Sequence, residues 1–311
     1  METARTKRAV PLASSPVFIG GENRSGTTVL SVILDSHPAL VCGPELDFLD
    51  PENLGPHVLA CCDMLAAADP RVRGTGVETA DPRWQLGVQF VKQCHRFGVE
   101  PEELRELVAS QMAATGGRLD SFEDRCLLID ALGQLRRAGQ GALRWGIKIQ
   151  RLIAQGDAFA RSWPEAQFVH IIRDGRDVAA SHLRSGRPWA YQSVAEAAAG
   201  WLSVVDRVRD VVPPRQVFEL RYEDLVADVA SAVEPLLEFL GLPWDDAVLR
   251  HGELPHSLFD HPHGHPSATA ARTRVNASAV GQYRSDLSTD QRVEFERLAR
   301  GSLERLGYAV E

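Results

Sequence analysis

The sequence predicts an α/β fold: a mostly parallel central sheet with a P-loop-like phosphate loop, flanked by helices and carrying a helical insertion. Three observations point there. Short apolar runs at Val17–Ile19, Gln167–Ile172 and Val217–Leu220 alternate with longer stretches of helical periodicity, the signature of strand–helix–strand units. Two of these runs end in a glycine-containing, charged turn that opens a helix, at Gly20–Gly26 and at Arg173–Asp177. The length, 311 residues, is enough for one large α/β domain to bury its core.

In chain order, Met1–Ser15 carries charges but no apolar stretch of the secretory type, so a flexible tail over residues 1–15 and one domain over 16–311 are expected. Val17–Ile19 is a buried strand and Gly20–Gly26 a tight turn. Val29, Leu30, Val32, Ile33 and Leu34 then supply a helical face. Pro38 disfavours helix at His37. Ala39–Cys42 follows as a second strand, with Gly43-Pro44-Glu45 turning out of it. Leu54–Ala68, Trp84–Phe97 and Glu102–Ala114 show helical spacing between Pro51, Pro70, Pro82 and Pro101. They make a helical insertion, about residues 51–120, placed to shape an acceptor pocket. Cys126–Ile129 and Arg144–Ile149 are strand candidates, and Leu152–Ser162 a helix. Helices also start at Val178 and span Ala195–Val212, Glu223–Leu240 and Asp290–Leu306. Gly252–Arg274, rich in Pro, His and Gly, reads as a long mobile loop.

Bulk properties remove several function classes. A net charge of −8 argues against a general nucleic-acid binder, while leaving room for a local basic pocket. No apolar run approaches the roughly 20 residues of a membrane-spanning helix. The cysteines (Cys42, Cys61, Cys62, Cys94, Cys126) are odd in number and lack paired zinc spacings, which suits a reduced, cytoplasmic protein. Oligomeric state is not legible.

The chemistry concentrates at the two turns. Glycines, inward-pointing N–H groups and a helix N-terminus make an anion cradle of Gly20–Thr28. Gly21 to Gly26 has the G-x-x-x-x-G spacing of a nucleotide phosphate loop, but Thr27-Thr28 follows where ATP–magnesium chemistry needs Lys then Ser or Thr. The cation sits inside the loop, as Arg24, with Ser25, Gly26, Thr27 and Thr28 beside it. At the second turn, Arg173 lies just past a strand and Ser181 eight residues on, in the following helix. The two are placed to clasp a phosphate beyond the strand ends. Taken alone, Arg173-Asp174-Gly175-Arg176-Asp177 also fits a surface ion-pair network; the repeated geometry favours a second grip. Lys148, one of only three lysines, ends the apolar run Trp145-Gly146-Ile147; it is either an inward cation or an edge-strand charge. His251, His256, His261, His263 and His265 fit a mobile lid better than a metal site, and no metal is expected.

Two phosphate grips imply a ligand with two separated anionic groups, and here the residues resemble the sulfotransferases that use 3′-phosphoadenosine 5′-phosphosulfate. Arg24-Ser25-Gly26-Thr27-Thr28 resembles their 5′-phosphosulfate loop. Arg173 and Ser181, within Arg-Asp-Gly-Arg-Asp-Val-Ala-Ala-Ser, resemble their 3′-phosphate motif. Leu34-Asp35-Ser36-His37-Pro38 and Cys42-Gly43-Pro44-Glu45 resemble the branch that includes tyrosylprotein sulfotransferases and many bacterial enzymes. Tyr222-Glu223 resembles the adenine-side segment, and Val275-Asn276 through Tyr283 a later one near the nucleotide. The resemblance implies Glu45 as the base, Lys148 and Arg24 as the catalytic cations, and Tyr222 as a nucleotide contact. It departs at Pro44 and Leu46-Asp47, where a peptide-binding arginine is missing, and at Arg184, three residues after Ser181 where the family has an Arg at four. These departures make a small-molecule or carbohydrate hydroxyl, as in bacterial secondary metabolism, the expected acceptor. The competing readings are a P-loop kinase of a small metabolite, with Asp174 as its magnesium ligand, and a non-catalytic nucleotide-binding module.

Overall fold

The computed structural model describes residues 14–46, 54–66, 82–117, 119, 121–260, 271–273, 275 and 277–310. Among them the strands β1 (Val17–Gly20), β2 (Leu40–Glu45), β3 (Arg144–Gln150), β4 (Gln167–Ile172) and β5 (Val217–Arg221) form a parallel sheet in the order β2-β3-β1-β4-β5. The α-helices of five residues or more among the described residues are α1 (Thr27–Asp35), α2 (Leu54–Ala66), α3 (Pro82–Arg96), α4 (Pro101–Ala114), α5 (Phe122–Gln140), α6 (Gly156–Ser162), α7 (Gly175–Ser185), α8 (Val194–Val205), α9 (Arg207–Val211), α10 (Tyr222–Ala227), α11 (Val229–Phe239) and a C-terminal helix, Thr289–Arg305.

Successive side chains of a strand point to opposite faces, and β1 shows the consequence. Phe18 joins one core with Trp145, Phe159, Trp163 and Phe168, under α2 to α6. Val17 and Ile19 join the other, under α1, α10 and α11. A third cluster packs α7 and α8 against the C-terminal helix through Val178, Trp201 and Phe295. The strand order has a functional consequence. From β1 the chain crosses β3 to reach β2, whereas from β4 it steps outward to β5. The direction reverses between β1 and β4, and a crevice opens there at the carboxyl ends of the strands.

Several sequence expectations change. Cys126–Ile129 is helical, inside α5. Ser121 and Asp124 close a capping box at its start and Gly141 (φ 65°) ends it, so a four-residue apolar run becomes the buried face of a long helix. Gly43-Pro44-Glu45 continues β2 instead of turning away. Pro44 has no N–H for the ladder, and the β2–β3 register shifts between Gly43 and Glu45. The helix expected over Ala195–Val212 breaks at Asp206. The one over Glu223–Leu240 breaks at Asp228, whose carboxylate accepts the Ser231 N–H and caps α11. Residues Arg151–Gln155 form a 3₁₀ turn before α6.

The segment 252–260 contains a helical turn, Ser257–Asp260. His251 and His256 are buried, and His256 Nδ1 lies 2.5 Å from Asp35 Oδ2. Asp35 Oδ1 accepts the Cys42 N–H at 2.8 Å, so this carboxylate ties the end of α1 to β2 and to residue 256. His261, His263, His265 and Asn276 lie outside the described residues, as does the tail up to residue 13.

Phe18 is fully buried among four aromatic rings. Phe18→Ala should therefore cost about 3–5 kcal/mol of unfolding free energy, read as a lower urea midpoint with an unchanged slope.

Candidate active site

The turn after β1 is built by close approach. Gly26, the N-cap of α1, has φ 97°, and a Cβ there would lie 2.6 Å from the Tyr222 ring. Glycine alone fits both demands. Arg24 also has a left-handed backbone, φ 73°, a conformation an L-residue holds only when its surroundings impose it. They do: Arg173 Nη1 donates to the Arg24 carbonyl at 3.0 Å, and Arg24 Nε donates to Ser181 Oγ at 2.9 Å. The two expected phosphate grips therefore touch. Arg173 also lies 4.8 Å over the Tyr222 ring and donates from Nη2 to the Ala279 carbonyl at 2.5 Å. Asp177, four residues on, accepts the Gly281 and Tyr283 N–H groups. This fastens the late segment beside the second grip.

The sheet register supplies the other half of the site. Lys148 pairs with Ile19 on β1 and with Glu45 on β2. It lies on an interior strand and is fully buried, which excludes the edge-strand alternative. Its ammonium lies 2.5 Å from Glu45 Oε2 and donates to Thr28 Oγ1 at 2.8 Å.

One cavity of about 1090 Å³ joins these groups. Arg24, Gly26, Thr27, Thr28, Glu45, Arg173, Ser181 and Tyr222 all line it. Lys148 stands behind Glu45 and Thr28, and Ser25 in the loop is buried, its hydroxyl without a hydrogen-bond partner among the described residues. The lining is strongly cationic. Burial, then the charges of Arg173, Arg184 and Arg187, pushes the Arg24 guanidinium below its ordinary value. Arg184 is shared, since it also pairs with Asp286 and donates to Gln282. Clustered like charges with unused donors fit an anionic ligand. Among the described residues no group of His, Cys, Asp and Glu is placed to hold a metal.

Sequence reasoning missed Gln89 and Arg96 on α3, and Arg187 and Trp189 beyond α7, all lining the cavity. No motif marks them, because helix packing and a loop bring them in. Asp174, by contrast, is not among the lining residues; its carboxylate accepts two bonds from the Arg176 guanidinium, at 3.0 and 2.8 Å, and the Arg176 N–H at 2.9 Å. His170 is fully buried in mid-β4, with Nδ1 3.8 Å from Glu219 Oε1.

Behind the loop, His182 is also buried. Its Nδ1 accepts the Tyr191 N–H at 3.2 Å, and its Nε2 lies 3.4 Å from the Asn23 carbonyl. Burial, reinforced by the Arg24 and Arg151 charges, pushes this imidazole from 6.5 down to about 4. A folded value below the unfolded one contributes stability that is present above about pH 6.5 and is lost as pH falls toward about 4. His182→Gln should therefore flatten stability against pH across that window. The difference is about 3 kcal/mol, read from urea midpoints at a series of pH values.

A model described as the sulfotransferase family matches residues 16–246. The protein-tyrosine sulfotransferase of Drosophila melanogaster is 26% identical over 302 residues, covering 91% of this chain and 50% of that protein. Protein-tyrosine sulfotransferase 1 of Danio rerio is 26% identical over 245 residues, covering 76% and 56%. The chain thus spans about half the length of these two relatives. Among solved structures, the sulfotransferase domain of the Synechococcus PCC 7002 olefin synthase superposes with a TM-score of 0.63 at 21% identity, covering 97% of this chain and 98% of that one. A sulfotransferase domain from the curacin biosynthetic pathway gives 0.58 at 14% identity, covering 97% and 100%. These two likenesses show a shared fold. No helix among the described residues is long and apolar enough to cross a membrane.

Proposed function

The chain belongs to the sulfotransferase family, and on that premise we propose that it transfers a sulfuryl group from 3′-phosphoadenosine 5′-phosphosulfate to an acceptor hydroxyl. The observation that carries the reading is the contact between the two grips, Arg24 Nε to Ser181 Oγ, in a cavity where Arg24, Arg173, Arg184 and Arg187 crowd together. The pocket is charged for a ligand with more than one anionic group. The Ser25 hydroxyl and Arg173 Nε, without a hydrogen-bond partner among the described residues, are spare donors for it. Magnesium–ATP chemistry finds less support, since the carboxylate it needs, Asp174, is bonded to Arg176 outside the cavity lining.

In this reading the loop Arg24–Thr28 holds the 5′ side of the nucleotide, Arg173 and Ser181 its 3′-phosphate, and Tyr222 the adenine side. Glu45 takes the acceptor's proton as the acceptor oxygen attacks sulfur. Lys148 and Arg24 offset the charge that develops on the phosphate oxygen as its bond to sulfur breaks. Supporting these roles, the strand register sets Glu45 against Lys148, so the two side chains meet with no loop to order first. The acceptor class is a small molecule or carbohydrate, and a tyrosine-bearing peptide is the competitor. Supporting the former, the residues flanking Glu45 in sequence are Pro44 and Leu46, and neither is the arginine that would face an acidic peptide. The proposed location is cytoplasmic, and residues 16–311 are read as one sulfotransferase-like domain.

Titration calorimetry should show magnesium-independent binding of 3′-phosphoadenosine 5′-phosphate that Arg173→Ala abolishes; binding of ATP–magnesium alone would replace the reading with a kinase. In an acceptor screen, Glu45→Gln and Lys148→Ala should each lower kcat by about 10²–10³-fold with nucleotide affinity largely kept. Near-normal turnover in either variant would remove that residue from the chemistry.

A further inference from the structure

The buried His182 and Glu22 and the half-buried Tyr191 form a polar chain that none of the proposed ligand contacts uses. Glu22, 1% exposed, accepts the Asn23 N–H at 2.9 Å and the Tyr191 hydroxyl at 3.3 Å on Oε1, while Arg151 Nε stands 3.3 Å from Oε2. The Arg151 guanidinium lies 5.6 Å over the Tyr191 ring. That ring packs on His182 with centroids 4.5 Å apart, and it also presses on α8, where a Cβ at Gly200 would meet the Tyr191 hydroxyl at 2.0 Å. Because Nδ1 of His182 accepts the Tyr191 N–H, the ring proton belongs on Nε2, which donates to the Asn23 carbonyl.

The chain therefore grips the phosphate loop from behind at Glu22 and Asn23, the two residues before Arg24. None of Glu22, His182 and Tyr191 lines the cavity. Yet His182 adjoins Ser181 on α7, and Ser181 holds the Arg24 side chain from the cavity side. Consecutive residues of one helix thus hold the left-handed Arg24, Ser181 at its side chain and His182 at the carbonyl of the peptide unit that precedes it. We propose that His182, backed by Tyr191 and Glu22, is a positioning residue for Arg24, fixing the loop backbone so that the guanidinium meets the 5′ side of the nucleotide. The inference rests on the nucleotide reading above.

The test is a double-mutant cycle on binding of 3′-phosphoadenosine 5′-phosphate, measured by calorimetry in the full chain. His182→Phe should weaken binding about tenfold alone and less than about twofold in an Arg24→Ala background, because its effect passes through Arg24. His182→Gln, which keeps an acceptor and a donor, should restore most of the affinity, and Tyr191→Phe should weaken it about threefold. If His182→Phe is too unstable to purify, the Tyr191→Phe and Arg24→Ala pair carries the same cycle. An undiminished loss in the Arg24→Ala background would overturn the proposal, as would wild-type affinity in both His182→Phe and Tyr191→Phe. Failure of the unsubstituted protein to bind would instead remove the nucleotide reading, and the positioning role with it.

Discussion

The ion pair between Lys148 and Glu45 is the constraint around which the sheet is arranged. An ammonium in the middle of a parallel sheet is costly unless its partners are close and fixed. Here they come from two different elements, Glu45 from the end of β2 and Thr28 from the first turn of α1. Both depend on strand order. β3 lies between β2 and β1, so the carboxylate arrives by register and the hydroxyl by the loop that β1 feeds. The irregularity at Pro44 belongs to the same arrangement, since the register shift it accompanies brings Glu45 opposite Lys148.

On the other side of β1 the excess charge has the opposite logic. Arg24, Arg173, Arg184 and Arg187 converge where Glu45 is the one carboxylate among the described lining residues, and it is already paired. Nearby acids are spent on structure. Asp174 and Glu296 hold Arg176, and Asp177 accepts two backbone N–H groups of the late segment. Acids that could neutralise the crevice are used to brace its walls, and the crevice stays ready for an anionic ligand. The overall charge of −8 hides this, because a chain-wide sum says nothing about where charges are concentrated.

The loop after β1 is held on every side. Gly26 gives up its side-chain space to Tyr222, and Arg173 and Ser181 fasten Arg24 from the cavity. A loop of a few residues cannot hold a left-handed arginine by local preference, so the hold has to be tertiary. It comes from Arg173 in the turn after β4 and from Ser181 on α7, which lie beside β1 because β1 and β4 pair.

The local pattern was enough to identify the α/β class, the two strand–turn–helix units and the residues at their tips, because strand periodicity, turn glycines and charged tips are properties of neighbours in sequence. The same locality misled at Cys126–Ile129, where a short apolar run has no period of its own and the capping residues of α5 decide. It also misled at Pro44, where proline reads as a turn but a strand tolerates it at a register shift. Partnerships across long separations were not legible: Lys148 with Glu45, Arg24 with Ser181, His182 with Asn23, and Arg96 at the cavity wall. The sequence by itself determined the two strand–turn–helix units and the polar and charged residues at their tips. Only the tertiary structure decided which of them meet, because contact across 100 or more residues depends on strand order and register, and neither is encoded in any single stretch of the chain.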